Sequence, residues 1–273
     1  MNDPVVVQAA AWLGAHAVWL YAAASVLLVG ATLLGWWLLL PNVPARPGSA
    51  RRWASPCAVA LLGGFFFIWL AWQLRDDHGL SAFDIAFTDA LAESVPSAIV
   101  QAAALLTRLG DPVTLGVLGV AVGTALLLRR RVGLVLAWAL ALAGNGLLNP
   151  ALKQLFARMR PSHAVNGAVA DGFSFPSGHS SGTVVAFGML AYLGLRLLPQ
   201  RWHLPVLLAA VLLALSVGVS RIFLRVHYVS DVAAGFASGT AWLAACITLV
   251  ELSRWRQHRA CRSQDGQPGS KAG

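Results

Sequence analysis

Three clusters of polar residues interrupt an otherwise apolar chain. The first is Lys153, followed by six residues and then Arg160-Pro161; the second is Pro176-Ser177-Gly178-His179; the third is Ser220-Arg221, five residues, His227, three residues and Asp231. Lys153, Arg160 and Arg221 bring three cations together if the clusters meet, and cations that converge need an anion. Arginine offers a planar fork suited to phosphate oxygens, and lysine a compact charge. Backbone N–H groups around Ser177 and Gly178, opening a helix, add donors at its positive end. Lys153, Arg160, Ser177, Gly178 and Arg221 therefore read as a phosphate cradle.

His227 and Asp231 are four residues apart, so on a helix they share a face and the carboxylate reaches one imidazole nitrogen. That holds the tautomer and leaves the other nitrogen free to attack. His179 has no carboxylate at helical spacing; it reads as an imidazole that stays protonated and donates to a leaving oxygen. A nucleophilic histidine and an acidic one around a cationic cradle describe phosphoryl transfer through a phosphohistidine. His227 is expected at an exposed site, where its removal leaves the fold intact.

Each residue alone has a plainer meaning. A single arginine at a helix end is usually an interfacial cation, and a Ser-Gly pair is usually a cap. Asn145 and Asn149 read as interhelical hydrogen-bond partners, and Gly235 with Gly239 as a seam for close helix packing. Arg158 and Arg225 sit beside the motif positions and read as added positive field or headgroup contacts, without a role in the chemistry.

The elements that must position these clusters are membrane spans. The 273 residues are 58% hydrophobic and 11% charged, with a mean hydropathy of +0.67. Uncharged runs at Ala17–Leu40, Trp53–Leu74, Pro112–Leu128, Val132–Pro150, Gly182–Leu195, Leu204–Ser220 and Val232–Val250 predict seven transmembrane helices. So little polar surface excludes a water-facing shell. The formal charge of +9 does not mark a nucleic-acid binder, because the arginines lie between spans.

Arg46, Arg51 and Arg52, then Arg129 to Arg131, then Arg196 and Arg201, then Arg254 to Arg262 alternate with loops that hold Asp76, Asp77, Asp84, Asp89, Glu93, Asp111 and Asp171. The positive-inside rule places the arginine set in the cytoplasm and all three polar clusters outside. The N-terminus lacks a basic stretch before its first apolar run, so no cleaved signal peptide is expected. The loop with Pro41, Pro44, Pro47 and Gly48 divides a first span, residues 1–52, from a core over residues 53–253; residues 254–273 read as a disordered tail. Between them, Ser81 and Asp84 look like a capping box opening a short amphipathic interfacial helix that ends at Pro96. Cys57, Cys246 and Cys261 read as packing residues, and His163 is set aside although it lies in the loop between the first two clusters. No spacing of Cys, His or carboxylates suggests a metal site or another cofactor.

Taken together, KxxxxxxRP, PSGH and SRxxxxxHxxxD resemble the signature of the type 2 phosphatidic acid phosphatase (PAP2) superfamily, with every signature position present and in order over residues 53–253. The resemblance implies an all-α membrane bundle with a six-span core, extended here by one N-terminal span. It implies a metal-free phosphatase in which His227 is the nucleophile, Asp231 its orienting partner, His179 the general acid, and Lys153, Arg160, Ser177, Gly178 and Arg221 the phosphate-binding set. The expected substrate is a lipid phosphate among membrane lipids, with undecaprenyl pyrophosphate favoured. Phosphatidic acid, phosphatidylglycerol phosphate and lipid A stand as alternatives, as do a phosphotransferase and a non-enzymatic anionic-lipid-binding or transport protein. The expected setting is a bacterial inner membrane with the site facing the periplasm.

Overall fold

The computed structural model describes residues 4–39, 51–75, 79–161 and 172–265. The proline-rich loop after the first span, Asp76, Asp77, His163 and Asp171 lie outside the described residues. Among the described residues every regular element is helical: α1 Pro4–Ala15, α2 Ala17–Leu39, α3 Arg51–Arg75, α4 Leu80–Ser94, α5 Ser97–Leu106, α6 Pro112–Leu128, α7 Val132–Phe156, α8 Gly178–Leu197, α9 His203–Phe223 and α10 Val229–Asp265, with short 3-10 turns after α5 and before α9. This is the all-α, multi-pass membrane bundle that the composition dictates.

Six of these helices are long and apolar enough to cross a membrane: α2, α3, α7, α8, α9 and α10. α6, expected to span, is apolar but only 17 residues long. α4 and α5 with its following turn pass the same test only as one pair, bent by 115° at Pro96, because proline lacks the N–H that would continue the ladder. α10 runs on to Asp265, well past Leu252, where the polar composition suggested a disordered tail.

Small residues set the close contacts, since in lipid a helix gains little from burying more leucine and packs where backbones can approach. Gly235 and Gly239 of α10 lie against the start of α8; a Cβ on them would come within 2.6 Å of the Ser177 carbonyl oxygen and 2.8 Å of that of Ser181. The seam read from the GxxxG spacing is therefore present. Asn149 and Asn145 of α7 donate to the Ser181 hydroxyl at 3.2 and 3.5 Å, tying α7 to α8 as expected. Trp138 of α7, nearly fully buried, donates its indole N–H to the Gly119 carbonyl of α6 at 2.8 Å.

The N-terminal region is added to the outside of this bundle. α2 touches α9 through a 2.7 Å hydrogen bond between the Tyr21 and Ser216 hydroxyls. α1, with 12 residues, is too short to span and packs along α4. Gly14 sits so close there that a Cβ would be 2.3 Å from the Phe87 carbonyl oxygen.

Candidate active site

α7 and α9 end, and α8 and α10 begin, at one end of the bundle, so the three polar clusters meet there. α7 stops at Ala157, in the left-handed region at φ 45° and ψ 32°, with its N–H bonded to the Lys153 carbonyl. That reversal throws Arg158 and Arg160 back across the bundle end. The returning strand of loop is pinned by Ser174 N–H to the Arg158 carbonyl at 2.7 Å, and Ser177 N–H donates to the Asp231 carbonyl at 2.9 Å. Ser177 is the N-cap of α8 and is fully buried, its hydroxyl accepting from Ser180.

His227 lies just before α10 and is 2% exposed. The expectation of an exposed imidazole is therefore corrected: the loop carrying Ser174 and Phe175 folds over it. Its Nε2 is 3.1 Å from a guanidinium nitrogen of Arg160. Its Nδ1 lies 3.2 Å from the Ser174 hydroxyl and 3.5 Å from Oδ2 of Asp231. Ser174 donates to that same Oδ2, so it bridges the histidine and the carboxylate. The i,i+4 pair expected from the spacing is present but long, and the Ser174 hydroxyl sits beside it in contact with both partners. Asp231 also accepts from the Tyr228 N–H at 2.9 Å, the carboxylate of the first turn reaching back to the helix start.

Arg158 holds the other side of Asp231. One guanidinium nitrogen donates to Oδ1 of Asp231 at 2.7 Å and to the Ser230 hydroxyl at 2.7 Å; the second donates to Asp84 at 2.8 Å. Asp84 is fully buried and also accepts from the Ser230 hydroxyl and, at 3.2 Å, from the Ser230 N–H. The capping box expected at Ser81 and Asp84 is not formed: α4 starts after Gly79 with no side-chain cap, because the Asp84 carboxylate is engaged by Arg158. Burial acts against charge on Arg158, but Asp231 and Asp84 outweigh it and raise its pKa above the ordinary arginine value.

Burial is also the largest influence on His227. It lowers the imidazole pKa from 6.5 to about 3, assisted by the charges of Arg160 and Arg221 and opposed by Asp231. The ring is therefore neutral through the physiological range, as a nucleophile must be.

A cavity of about 1280 Å³ opens beside His227. Lys153, Arg160, Gly178, His179 and Arg221 line it together with His227, so most of the cradle expected from sequence faces one space. The Ser177 side chain is turned inward as the cap, and Asp231 stands behind His227. Arg221 donates to the Thr107 hydroxyl at 2.8 Å, while its buried Nε has no acceptor among the described residues. His179, which has no carboxylate at helical spacing, receives one through space: Oδ1 of Asp111, at the N-cap of α6, is 2.8 Å from its Nε2. Away from the charged end the cavity continues between α6 and α7, past Gly119, Gly123, Ala139 and Leu142. Among the described residues, no three His, Cys, Asp or Glu side chains group as a metal-ligand set.

Sequence reading thus missed Asp84, Asp111, Arg158 and Ser174. Arg158 and Ser174 carried a faint signal, each lying within three residues of a motif. Asp84 and Asp111 carried none, because their partners are distant in the chain.

Known proteins resemble this chain in sequence and in fold. Residues 134–255 match the family model described as the PAP2 superfamily. The chain is 35% identical over 136 residues to phosphatidylglycerophosphatase B of Bacillus subtilis, covering 49% of this chain and 66% of that protein. It is 35% identical over 111 residues to decaprenylphosphoryl-5-phosphoribose phosphatase of Mycobacterium tuberculosis, covering 40% of this chain and 56% of that one. The matches thus span less than two thirds of either relative's length. The crystal structure of a transmembrane PAP2 type phosphatidylglycerolphosphate phosphatase from Bacillus subtilis superposes with a TM-score of 0.64 at 30% identity, covering 68% of this chain and 93% of that one. Three motifs meeting at one end of a membrane bundle, a matching family model and a solved relative aligned over nearly its whole length make this chain a member of the PAP2 superfamily.

Proposed function

We propose that this protein is a membrane lipid phosphatase that hydrolyses a phosphomonoester or pyrophosphate of a lipid through a phosphohistidine on His227. The observation that carries the reading is the one cavity in which Lys153, Arg160, Arg221 and both motif histidines converge, with the buried Arg221 Nε lacking an acceptor among the described residues. A buried donor without a partner is costly, and a phosphate oxygen would supply the acceptor. The apolar stretch of the same cavity between α6 and α7 suits a lipid tail.

In the first step Nε2 of His227 attacks phosphorus, the N–P bond forms and the P–O bond to the lipid breaks. His179, as the imidazolium paired with Asp111, gives its Nε2 proton to the leaving oxygen and becomes neutral. Asp231, with the Ser174 hydroxyl beside it, stabilises the positive charge that develops on the His227 ring. In the second step water attacks phosphorus, its proton passes to His179, and the N–P bond breaks to release inorganic phosphate. Arg160, Arg221 and Lys153 neutralise the phosphoryl oxygens in both steps, with N–H groups at the start of α8 beside them.

The cradle reads phosphate and leaves the rest of the lipid open. Undecaprenyl pyrophosphate is favoured by the family's common bacterial roles and the outward-facing site expected from the loops; the names of the similar proteins put phosphatidylglycerolphosphate beside it. The alternation of arginine-rich and acidic loops supports a periplasm-facing site in a bacterial inner membrane. The charges stand at one end of the bundle, which disfavours a transporter with its site at the midplane.

The test is phosphate release by detergent-solubilised protein on undecaprenyl pyrophosphate, phosphatidylglycerolphosphate, phosphatidic acid and lipid A, with EDTA present. Wild type should turn over at least one lipid and form a phosphoenzyme with the acid lability of phosphohistidine, and His227→Ala should do neither. Turnover by a well-folded His227→Ala would overturn the nucleophile assignment, and abolition by EDTA would overturn the metal-free mechanism.

A further inference from the structure

A buried carboxylate that belongs to none of the three motifs is joined to them by Arg158 and by Ser230, which lies within the third motif. Asp84 lies on α4, outside the residues 134–255 that match the family model, and is fully buried. It meets one nitrogen of the Arg158 guanidinium at 2.8 Å, while the other nitrogen meets Oδ1 of Asp231 at 2.7 Å. Oδ2 of Asp231 is left to Ser174, the Tyr228 N–H and the His227 side. A guanidinium with one carboxylate can close on it in a bidentate fork; a guanidinium stretched between two is held to one oxygen of each.

We propose that Asp84 and Arg158 are positioning residues for the reaction: Asp84 holds Arg158 in a bridging pose, so that Arg158 takes only Oδ1 of Asp231 and leaves Oδ2 to orient His227, directly and with the Ser174 hydroxyl beside it. The proposal rests on the phosphohistidine reading above. Without Asp84, the guanidinium swings wholly onto Asp231 and draws its carboxylate off Ser174. The phosphate cradle is untouched, because neither Asp84 nor Arg158 lines the cavity. The cost therefore falls on the chemical step. Arg158 also stacks over the Tyr228 ring at 4.4 Å, which fixes its plane.

α4 is itself held from outside. α1 packs on it through Gly14, and the Ser94 hydroxyl donates to the Gly14 carbonyl at 3.3 Å. The N-terminal addition thus braces the helix that carries Asp84.

The experiment compares wild type, Asp84→Asn, Arg158→Lys, Arg158→Gln and the Asp84→Asn/Arg158→Gln double variant, with His227→Ala as control and the melting temperature of each in detergent. Asp84→Asn should lower kcat by about 10- to 100-fold with KM little changed, the scale expected when a catalytic group is misplaced by a distant change. Because the two residues act as a unit, the double variant should cost no more than Arg158→Gln alone. The charged groups facing His227 are Asp231 on α10, Arg221 on α9 and Arg160 on the loop after α7. Loss of the Arg158 charge leaves Asp231 uncompensated, so Arg158→Gln should move the acid limb of kcat/KM to higher pH. A purely structural role would lower the melting temperature and the active fraction without moving that limb.

Selective 15N-histidine NMR, assigned by the signal lost in His227→Ala, reads the same effect without turnover. The His227 titration should shift upward in Arg158→Gln, and its tautomer balance should change in Asp84→Asn. If Asp84→Asn does not fold, Arg158→Lys, which keeps charge but cannot bridge, carries the test. Full kcat in a folded Asp84→Asn, or an unmoved His227 titration in Arg158→Gln, would sink the proposal. Turnover by His227→Ala would instead sink the phosphohistidine reading.

Discussion

α2 and α8 are both long enough and apolar enough to cross a membrane, yet they do opposite work. α2 has the higher hydropathy, 2.0 against 1.3, but only 6% of its most apolar window is buried in protein, against 61% for α8. Hydropathy therefore ranks these helices in the reverse order of their burial. Lipid tails are as apolar as leucine, so a smooth apolar helix has no reason to leave them. α8 is drawn inside by Gly, Ser and Thr side chains that admit α10 at backbone contact and give α7 a hydroxyl to bond. α2 holds small and polar residues too, but Ser25 and Thr32 bond the backbone of their own helix and a Cβ on Gly30 or Gly35 would meet nothing within 4 Å.

Four substitutions or conditions break or sharpen that contrast. The largest effect belongs to the seam. Gly235→Leu puts a side chain where the Ser177 carbonyl oxygen already lies within 2.6 Å of a Cβ, and backbone cannot yield as a flexible side chain can. Size-exclusion chromatography should show loss of the folded protein. Gly30→Leu on α2, where a Cβ meets nothing within 4 Å, should leave elution and activity unchanged.

Arg160→Lys comes next. The guanidinium bonds the Gly172, Phe173 and Val226 carbonyls and reaches His227, a set of directions no ammonium reproduces. kcat/KM for the favoured lipid should fall about 100-fold, the scale for loss of one transition-state donor, with the melting temperature lowered as well.

The third test is pH. The folded His227 has its pKa lowered to about 3 from 6.5, so between these values the unfolded chain binds a proton that the folded one refuses. Its contribution to stability is complete above 6.5 and is lost as pH falls toward about 3. The melting temperature in detergent should drop through that window, and the drop should be shallower in His227→Gln.

The smallest effect belongs to α2. Tyr21→Phe removes its hydrogen bond to Ser216 and should cost about 0.6 kcal/mol, the average for such interhelical bonds in membranes. A denaturant titration that showed several times this value would mean that α2 is integral to the core after all.

Much of the fold was legible because the signals are local. Runs such as Trp53 to Leu74 declare a span wherever the rest of the chain lies, and Pro96 declares a break. α1 was passed over because 12 residues cannot span a bilayer and carry no amphipathic stripe to mark it. Ser81, three residues before Asp84, suggests a cap, but a half-buried arginine more than seventy positions away claims the carboxylate instead. His179 was read as lacking a carboxylate because its neighbours along the helix hold none, and Asp111 reaches it from the start of α6.

By itself the sequence determined the helical membrane class, the three motifs and the end of the bundle at which they gather, since residue type, spacing and span order are properties of the chain. Only the tertiary structure decided that His227 is buried, that Ser174 contacts both it and Asp231, and that Arg158 ties Asp231 to Asp84. Those features depend on distances between segments remote in sequence, and nothing in the local pattern of either partner encodes them.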